Sequence, residues 1–383
     1  MGDNRGVKEH PSLTSALQAR VAQAVVEAGG WLPFDRFMAM ALYEPGLGYY
    51  ANHTPKLGHW PAADGAPEDA GSDFVTAPEL TPVFGQTLAR AVAEALTATG
   101  TDEVWEFGAG TGALAEQLLG ALQTLGALPR RYTIVDLSGS LRERQRERLA
   151  AWGERVQWVD RLPDALRGVL VGNEVLDAMP VQLLHRIQGV WHERGVGLDA
   201  QGQSVWVDRP TDLRPPCEVP GEHDYLTEIH PQAEAFVRTL ADCWTDGAAF
   251  LVDYGFPESE YYHPERHMGT LIAHRAHRSD DDVLSDVGLK DITAHVNFTS
   301  VALAAQDAGL SVVGYTSQGR FLINAGLAEV AEGVSARERV LMQKLIHEHE
   351  MGELFKVLAL APDASAAHWS PSGFAVSDRS HRL

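Results

Sequence analysis

The sequence predicts an α/β fold built on a mainly parallel sheet of about seven strands. Short β-prone runs alternate with amphipathic helical segments along most of the 383 residues, and this alternation requires right-handed crossovers between parallel strands. A glycine turn, Gly108 to Gly112, separates the first core strand from the next helix. The second core strand ends in Asp136, where a doubly wound sheet places the carboxylate that binds ribose hydroxyls. These observations predict a nucleoside pocket.

Three parts are expected along the chain. Residues 1–100 should form a helical extension and a segment that covers the cofactor, with a mobile loop over 52–71 that is rich in Pro, Ala and Gly. Residues 101–361 should form the core, with insertions at about 181–230 and 255–300. Residues 362–383 read as a loose tail.

The helices and strands follow from hydrophobic periodicity. Two amino-terminal helices, whose apolar side chains recur at helical spacing, are expected to cover the sheet of the main domain. The insertion over 181–208 reads as a hairpin with Gly202 in its turn, and 256–298 reads as an irregular excursion. The helices are predicted over 12–28, 33–42, 81–99, 113–125, 138–152, 230–244, 299–308 and 335–347, and the strands over 104–107, 132–136, 156–160, 168–174, 248–255, 312–316 and 355–360.

The glycine turn is the first candidate for a binding site. Its glycines permit a tight turn, a close approach of ligand to backbone, and packing of the helix start on the strand. Gly108, Gly110 and Ala113 fit the dinucleotide fingerprint of NAD enzymes, whereas Glu106 before a GxGxG turn is typical of S-adenosyl-L-methionine (SAM) enzymes. A turn that serves only as a sharp connection is the third interpretation.

The fourth strand ends in a second candidate segment, Asn173 to Pro180, which contains Glu174 and Asp177. Parallel strands present their ligands at their carboxyl ends, so these acids should face the same crevice as Gly110. The alternative is that they only cap a helix that follows the strand.

Composition excludes some functions. A net charge of −21 without a basic stripe argues against a nucleic-acid partner, because phosphate binding depends on clustered Lys and Arg. Two cysteines, Cys217 and Cys243, cannot form a disulfide framework. The first 20 residues lack the apolar region of a secretory signal, and no apolar run reaches the ~20 residues of a membrane span. We therefore expect a cytoplasmic protein without membrane insertion.

The excursion carries histidines and acids that allow a metal hypothesis, although their spacing matches no compact zinc motif. A solvated loop or a loop that binds the acceptor are the alternatives, and we expect no metal. The residues concerned are His263, His267, His274, His277 and Asp280 to Asp282.

Taken together, these motifs resemble the MidA-type methyltransferases, a family that includes the mitochondrial complex I assembly factor that methylates an arginine. The resemblance extends from about residue 30 to residue 327. It implies a Rossmann-like class I methyltransferase sheet of seven strands, whose last strand is antiparallel. The matching segments are 43–50, 73–79 with Phe84 and Gly85, 106–112, 134–145, 173–180, 253–255 and 291–298.

The resemblance implies that SAM is the cofactor and that a protein arginine is methylated, in a respiratory-chain subunit or a similar protein. Glu174 is the candidate that holds the guanidinium, with Asp177 or His295 as its partner or as proton acceptor. Tyrosines 49, 50, 261 and 262 either line the acceptor channel or only pack. The residues expected to bind the cofactor are Glu106, Gly108, Gly110, Gly112, Asp136, Leu137, Asp73, Thr76, Pro78, Glu79 and Asn173.

Three positions depart from the family pattern. Ser72 replaces a frequent Gly, and Asp136 replaces a Glu but should still reach a ribose. Asn297 replaces an acid, which predicts a different substrate if that acid holds the acceptor. A non-catalytic assembly factor and an NAD-dependent oxidoreductase remain the alternative functions, and a homodimer is the expected assembly if the chain associates.

Overall fold

The computed structural model describes residues 10–52, 76–136, 138–275, 278–367 and 369–383. The strands are β1 Leu32–Pro33, β2 Glu103–Phe107, β3 Arg131–Val135, β4 Val156–Val159, β5 Leu166–Asn173, β6 Gln182–Ile187, β7 Val190–Leu198, β8 Ser204–Pro210, β9 Tyr225–Ile229, β10 Trp244–Phe256, β11 Ile272–Arg275, β12 Arg278–Asp280, β13 Asp291–Thr293, β14 Val296–Asn297, β15 Leu310–Ser317 and β16 Phe355–Pro362. The helices are α1 His10–Glu27, α2 Phe34–Tyr43, α3 Ala77–Leu80, α4 Val83–Thr99, α5 Ala113–Thr124, α6 Gly139–Arg148, α7 Pro231–Cys243, α8 Glu258–Tyr261, α9 Phe298–Asp307, α10 Gln318–Asn324, α11 Leu327–Ala331, α12 Ala336–Ile346, α13 Met351–Leu354 and α14 Asp363–Ala366.

Some of the predicted features lie outside the described residues. These are most of the loop over 52–71, together with Ser72, Asp73, Leu137 and His277. Within the described ranges, no helix combines the length and the apolar character that crossing a bilayer requires.

The central sheet has eight strands, seven of which follow the order β15-β16-β10-β5-β2-β3-β4, with β14 beside β10. Strands β4, β3, β2, β5 and β10 pair in parallel. The last strand, β16, runs antiparallel to both of its neighbours. The predicted parallel sheet with an antiparallel final strand is therefore confirmed.

Helices cover both faces of this sheet, which explains why its strands are continuously apolar. Residues of α4 and α5 pack on one face together with α10 and the chain end. Residues of α7 and α9 pack on the other face. Strands buried on both faces leave only their ends accessible, so the carboxyl ends of β2, β3 and β5 form one edge where a ligand can bind.

The two amino-terminal helices lie elsewhere than expected. Residues of α1 and α2 pack against the inserted strands β6 and β7 and against residues 273–294, rather than against the central sheet. Strand β1 pairs with β7, Leu32 opposite Val196. The expectation that these helices cover the main sheet is wrong, because the insertion forms a second sheet whose apolar face needs its own cover.

Both insertions contain more regular structure than the sequence predicted. The predicted hairpin over 181–208 is a three-stranded meander, in which Gly202 lies in a turn and donates its N–H to Asp199 O at 3.0 Å. Strand β9 adds to the same sheet. The excursion over 256–298 contains a small sheet of order β12-β11-β13.

The carboxyl terminus is not a loose tail. Trp369 and Phe374 are buried in the main core, the Trp369 indole donates to Glu94 Oε1 at 3.1 Å, and the Phe374 ring lies 5.2 Å from that of Phe321. Helices α10 and α11 were not predicted, and α6 ends earlier than predicted, since a 3-10 turn over Ala150–Arg155 follows Leu149. Short elements of this kind carry too few residues to show a period.

Candidate active site

A pocket opens at the carboxyl ends of β2 and β5, where the sequence placed the site. It brings together the glycine turn, the start of α5, the helix α3 and the end of β5. Of the predicted site residues, Gly112, Asp136, Asp177 and His295 do not line it, and Asp73 and Leu137 lie outside the described residues. The lining residues are Tyr50, Thr76, Pro78, Glu79, Glu106, Gly108, Ala109, Gly110, Thr111, Ala113, Leu114, Asn173 and Glu174.

The glycine turn has a backbone that only glycine adopts without strain. Gly108 and Gly110 have φ values of 61° and 54°, in the left-handed region that side chains disfavour. A Cβ at Gly108 would also lie 3.2 Å from a methyl carbon of Val175. Gly108 is exposed, so its backbone can contact a ligand in the pocket.

Asp136 lies behind this turn and is fixed by two donors. Its carboxylate accepts hydrogen bonds from the Ser138 N–H at 2.8 Å and from Gln145 Nε2 at 2.7 Å. Burial raises the pKa of Asp136, and these hydrogen bonds oppose that rise. Gln145 Nε2 also lies 2.9 Å from Gly110 O, so one amide ties the acid to the glycine turn.

Glu106 brings a second carboxyl to the pocket from the end of β2. It is almost fully buried, and Tyr132 donates its hydroxyl to it at 2.7 Å. Burial raises the pKa of Glu106 to about 8, and the charge of Asp136 adds to the rise. A ligand with a positive charge beside this group would favour its ionised form.

Glu174 projects into the same pocket at the end of β5. Its φ is 53°, unusual for a residue with a side chain. Asn173 Nδ2 donates to Glu174 Oε1 at 2.9 Å. The residue as a whole is half-buried, but its carboxyl lies deep in the crevice, and burial raises its pKa to about 8, helped by the charges of Asp177 and Asp291.

The turn after Glu174 shows that the capping interpretation is wrong. No helix follows β5 at this point. The N–H groups of residues 175, 176 and 177 instead donate to Asp253 Oδ2 at 3.1, 2.9 and 3.2 Å. One buried carboxylate at the end of β10 therefore fixes the backbone that positions Glu174.

Asp177 and His295 lie outside the pocket lining and meet at Tyr254. The Tyr254 hydroxyl donates to Asp177 Oδ2 at 2.5 Å, and the His295 ring packs edge-on against Tyr254 with centroids 5.1 Å apart. Burial raises the pKa of Asp177 to about 6 and lowers that of His295 to about 4, which keeps the imidazole neutral at pH 7.

The four tyrosines that the sequence grouped together have different positions. Tyr50 lines the pocket. Tyr49, Tyr261 and Tyr262 are buried. The Tyr261 hydroxyl donates to the carboxylate of Glu228, and the Tyr262 hydroxyl donates to its backbone carbonyl oxygen. These three therefore pack, as the alternative interpretation expected.

Asn297 is also a structural residue. It is fully buried, and its Oδ1 accepts the N–H groups of Thr299 and Ser300 at 3.1 and 3.2 Å, which caps α9. It does not line the pocket, so nothing at this position indicates a different acceptor.

Several of the candidate metal ligands take part in other contacts. The His267 ring lies 6.2 Å from the ring of His223, which is not one of the candidates. Asp280 forms an ion pair with Lys290. Among the described residues, no group of three or more His, Cys, Asp or Glu side chains is arranged to hold a metal ion.

Two polar contacts beside the pocket were not predicted from the sequence. Arg148 of α6 pairs with Glu79 at 3.5 Å, and its guanidinium also donates to Thr111, which in turn donates to Glu79. Gln145, three residues earlier, holds Asp136. Both residues lie in a helix so rich in charge that the sequence offers no signal to separate them from solvated neighbours.

The residues of the pocket fit a SAM cofactor. Asn173 Oδ1 is a buried acceptor without a hydrogen-bond partner in the described part of the chain. A ligand that carries an ammonium and ribose hydroxyls supplies such donors, and its positive charges suit the Glu106 carboxyl. Gly108 and Gly110 leave room for a close approach of the ligand to the backbone.

Comparisons with known proteins agree with this fit. Residues 87–316 match the model of a family described as "Putative S-adenosyl-L-methionine-dependent methyltransferase". A protein from Burkholderia thailandensis, solved bound to S-adenosyl-homocysteine (SAH), is 46% identical, with a TM-score of 0.91 and coverage of 98% of both chains. These findings favour SAM over NAD as the cofactor.

Two curated relatives are named as arginine-modifying enzymes. The protein arginine methyltransferase NDUFAF7 homolog, mitochondrial, of Caenorhabditis elegans is 26% identical over 88% of this chain and 84% of the relative. The protein arginine methyltransferase NDUFAF7, mitochondrial, of Danio rerio is 26% identical over 93% of this chain and 89% of the relative.

Proposed function

This chain belongs to the family of S-adenosyl-L-methionine-dependent methyltransferases, and we propose that it methylates an arginine side chain of a protein. The names of the two curated relatives support the choice of arginine. The observation that carries the proposal is the position of Glu174, whose carboxyl lines the same pocket as the glycine turn.

A guanidinium suits Glu174 because of charge and shape. Arginine arrives protonated, since its pKa exceeds ~12. A carboxylate can accept two of its N–H groups side by side, which fixes the plane of the guanidinium and leaves one nitrogen free to react. The arriving cation also stabilises the ionised form of Glu174, which burial alone disfavours.

Positioning is the main contribution of the protein to this reaction. When bound, SAM supplies an electrophilic methyl group on a sulfonium, and in-line displacement needs the acceptor nitrogen held close to it. Correct placement of this kind can contribute roughly 7 to 11 kcal/mol. Asp253 serves this purpose through the backbone of residues 175–177, because it sets where the Glu174 carboxyl points.

The methylated guanidinium must lose one proton. Glu174 lines the pocket together with Glu79 and Glu106, and its raised pKa makes it a competent base at neutral pH. Asp177 and His295 lie outside this lining, and their lower pKa values make both of them weaker bases than Glu174, so Glu174 itself is the proton acceptor.

The proposal extends to partners and location. The resemblance seen in the sequence supports a respiratory-chain subunit or a similar protein as the acceptor, and the homodimer stays a prediction. The low cysteine content supports a cytoplasmic location, although the names of the relatives place those proteins in mitochondria.

The test combines Glu174→Gln with isotope-labelled SAM. Purified wild-type protein, incubated with proteins from cells that lack it, should place label in methylarginine on amino-acid analysis. Glu174→Gln keeps the hydrogen bond from Asn173 and should bind SAH normally, but it should lose activity by about a hundredfold or more because a charged bidentate contact is removed. Glu143→Gln, at an exposed position of α6, is the matched control.

Two results would contradict the proposal. Label found only in another amino acid or in a small molecule would exclude arginine. A Glu174→Gln protein that restores deletion cells without methylating anything would show that the chain acts as a non-catalytic assembly factor.

A further inference from the structure

The pocket has an aromatic wall that comes from the amino-terminal extension. The turn after α2 carries Tyr50 to the pocket, where it lies with Glu174 in the lining. Its hydroxyl is 2.9 Å from both carboxylate oxygens of Asp291, a fully buried residue at the start of β13. The hydroxyl proton is therefore engaged, and Tyr50 offers the pocket its ring rather than a hydrogen-bond donor.

Two further tyrosines fix the orientation of this ring. Tyr43 stacks on it, with centroids 5.7 Å apart and planes at 20°, and Tyr49 contacts it edge-on at 5.0 Å. The Tyr43 hydroxyl is itself bound to Ala178 O at 2.8 Å. Tyr50 is only half-buried in this stack, so part of its ring remains available to a ligand.

The surroundings of Tyr50 favour a positive charge. Asp177 and Asp291 lie close enough to Glu174 to oppose its ionisation. The face of an electron-rich phenol attracts cations, and a planar guanidinium can stack on it while its edge donates to a carboxylate. A lysine ammonium has no plane to stack and gains less from the same wall.

We propose that Tyr50, oriented by Asp291, is a specificity-determining residue whose ring stacks on the guanidinium held by Glu174 and selects arginine over lysine. This inference rests on the proposed function and names the residue that sets its substrate class. Asp291 acts through Tyr50 and is a positioning residue. Tyr49, Tyr261 and Tyr262 are buried and offer no ring to the ligand, and Tyr49 contributes only by holding the Tyr50 ring.

The experiment measures binding to the SAH-loaded full-length protein with ethylguanidinium and butylammonium as probes for the two side chains. Wild type should prefer ethylguanidinium by about tenfold. Tyr50→Leu keeps apolar bulk but removes the ring, and it should lose this preference and raise the KM for an arginine acceptor by about tenfold. Its SAH affinity should stay within about threefold of wild type.

Tyr50→Phe separates the ring from its hydrogen bond. It keeps the aromatic face and loses only the contact with Asp291, so its preference and KM should be intermediate, within about threefold of wild type. The Tyr50→Leu result would overturn the inference if the preference for ethylguanidinium survived, or if SAH affinity fell as much as guanidinium binding.

The same measurements distinguish this inference from the proposed function. A preference for ethylguanidinium that depends on Tyr50, without any methylation of arginine, would refute the proposed function and leave the recognition by Tyr50 standing. Methylation of arginine with an unchanged KM in Tyr50→Leu would refute the recognition by Tyr50 and leave the proposed function standing. Absence of ethylguanidinium binding to wild type would overturn the inference.

Discussion

The raised pKa of Glu174 predicts how activity depends on pH. Burial, followed by the charge of Asp177, raises this pKa to about 8, and it is the ionised carboxylate that binds a guanidinium. An acid of pKa 8 is ionised to about 1% at pH 6, about 10% at pH 7 and about 50% at pH 8. Since the charge appears as pH rises, kcat/KM should increase about fiftyfold from pH 6 to pH 8. The arginine acceptor remains protonated throughout and adds no titration of its own.

Asp177→Asn tests the electrostatic cause of this profile. Asp177, whose pKa burial raises to about 6, is half charged at pH 6 and almost fully charged at pH 8. Asparagine keeps an oxygen that can accept the Tyr254 hydroxyl bond but removes the charge that opposes ionisation of Glu174. The rising limb of the profile should therefore move to lower pH. Asp242→Asn, at an exposed site on α7, should leave it in place.

The assay measures initial rates at low acceptor and saturating SAM from pH 5.5 to 8.5, with SAH binding checked at each pH. A flat or falling profile in wild type would refute the idea that ionised Glu174 holds the acceptor. An unchanged limb in Asp177→Asn would refute the assignment of the pKa shift to Asp177.

Two further predictions concern the glycine turn and the chain end. Gly108→Ala should cost about 1–2 kcal/mol in backbone strain and weaken SAH binding in calorimetry, because φ is 61° and the new Cβ meets Val175. The control Gly120→Ala, inside α5 with open space around it, should leave SAH binding unchanged. Equal SAH affinity in both variants would contradict this. Phe374→Ala should lower the free energy of unfolding by about 3–5 kcal/mol in denaturant titrations, whereas Val376→Ala, which is 61% exposed, should change it by less than about 0.5 kcal/mol. Equal effects would show that the chain end does not support the core.

The central sheet could be predicted because its signals are local. Strands buried on both faces are continuously apolar, and the glycines of the turn mark a backbone that other residues do not adopt. The amino-terminal helices were placed on the wrong sheet because periodicity shows which face of a helix is apolar but not what covers it. The same limit applies to Trp369 and Phe374, whose partners are far away in sequence.

The site was predicted in part for similar reasons. Glu106, Glu174 and the glycines follow strand ends, and strand ends meet at one edge of a parallel sheet. Asp177 and His295 were expected in the pocket and lie behind it, because the turn held by Asp253 directs only Glu174 inward. Asp291 had no assigned role, since its partner Tyr50 lies 241 positions away.

The shared core of the amino-terminal extension and the insertion limits how this protein can be shortened. Strand β1 and the two helices beside it hide the apolar face of β6 and β7, and those strands hide theirs in return. A recombinant chain that lacks only the amino-terminal extension would expose the apolar face of β6 and β7 to water. It would also lose Tyr50. The amino-terminal extension and the insertion therefore have to be kept together or removed together in any shortened version of the protein.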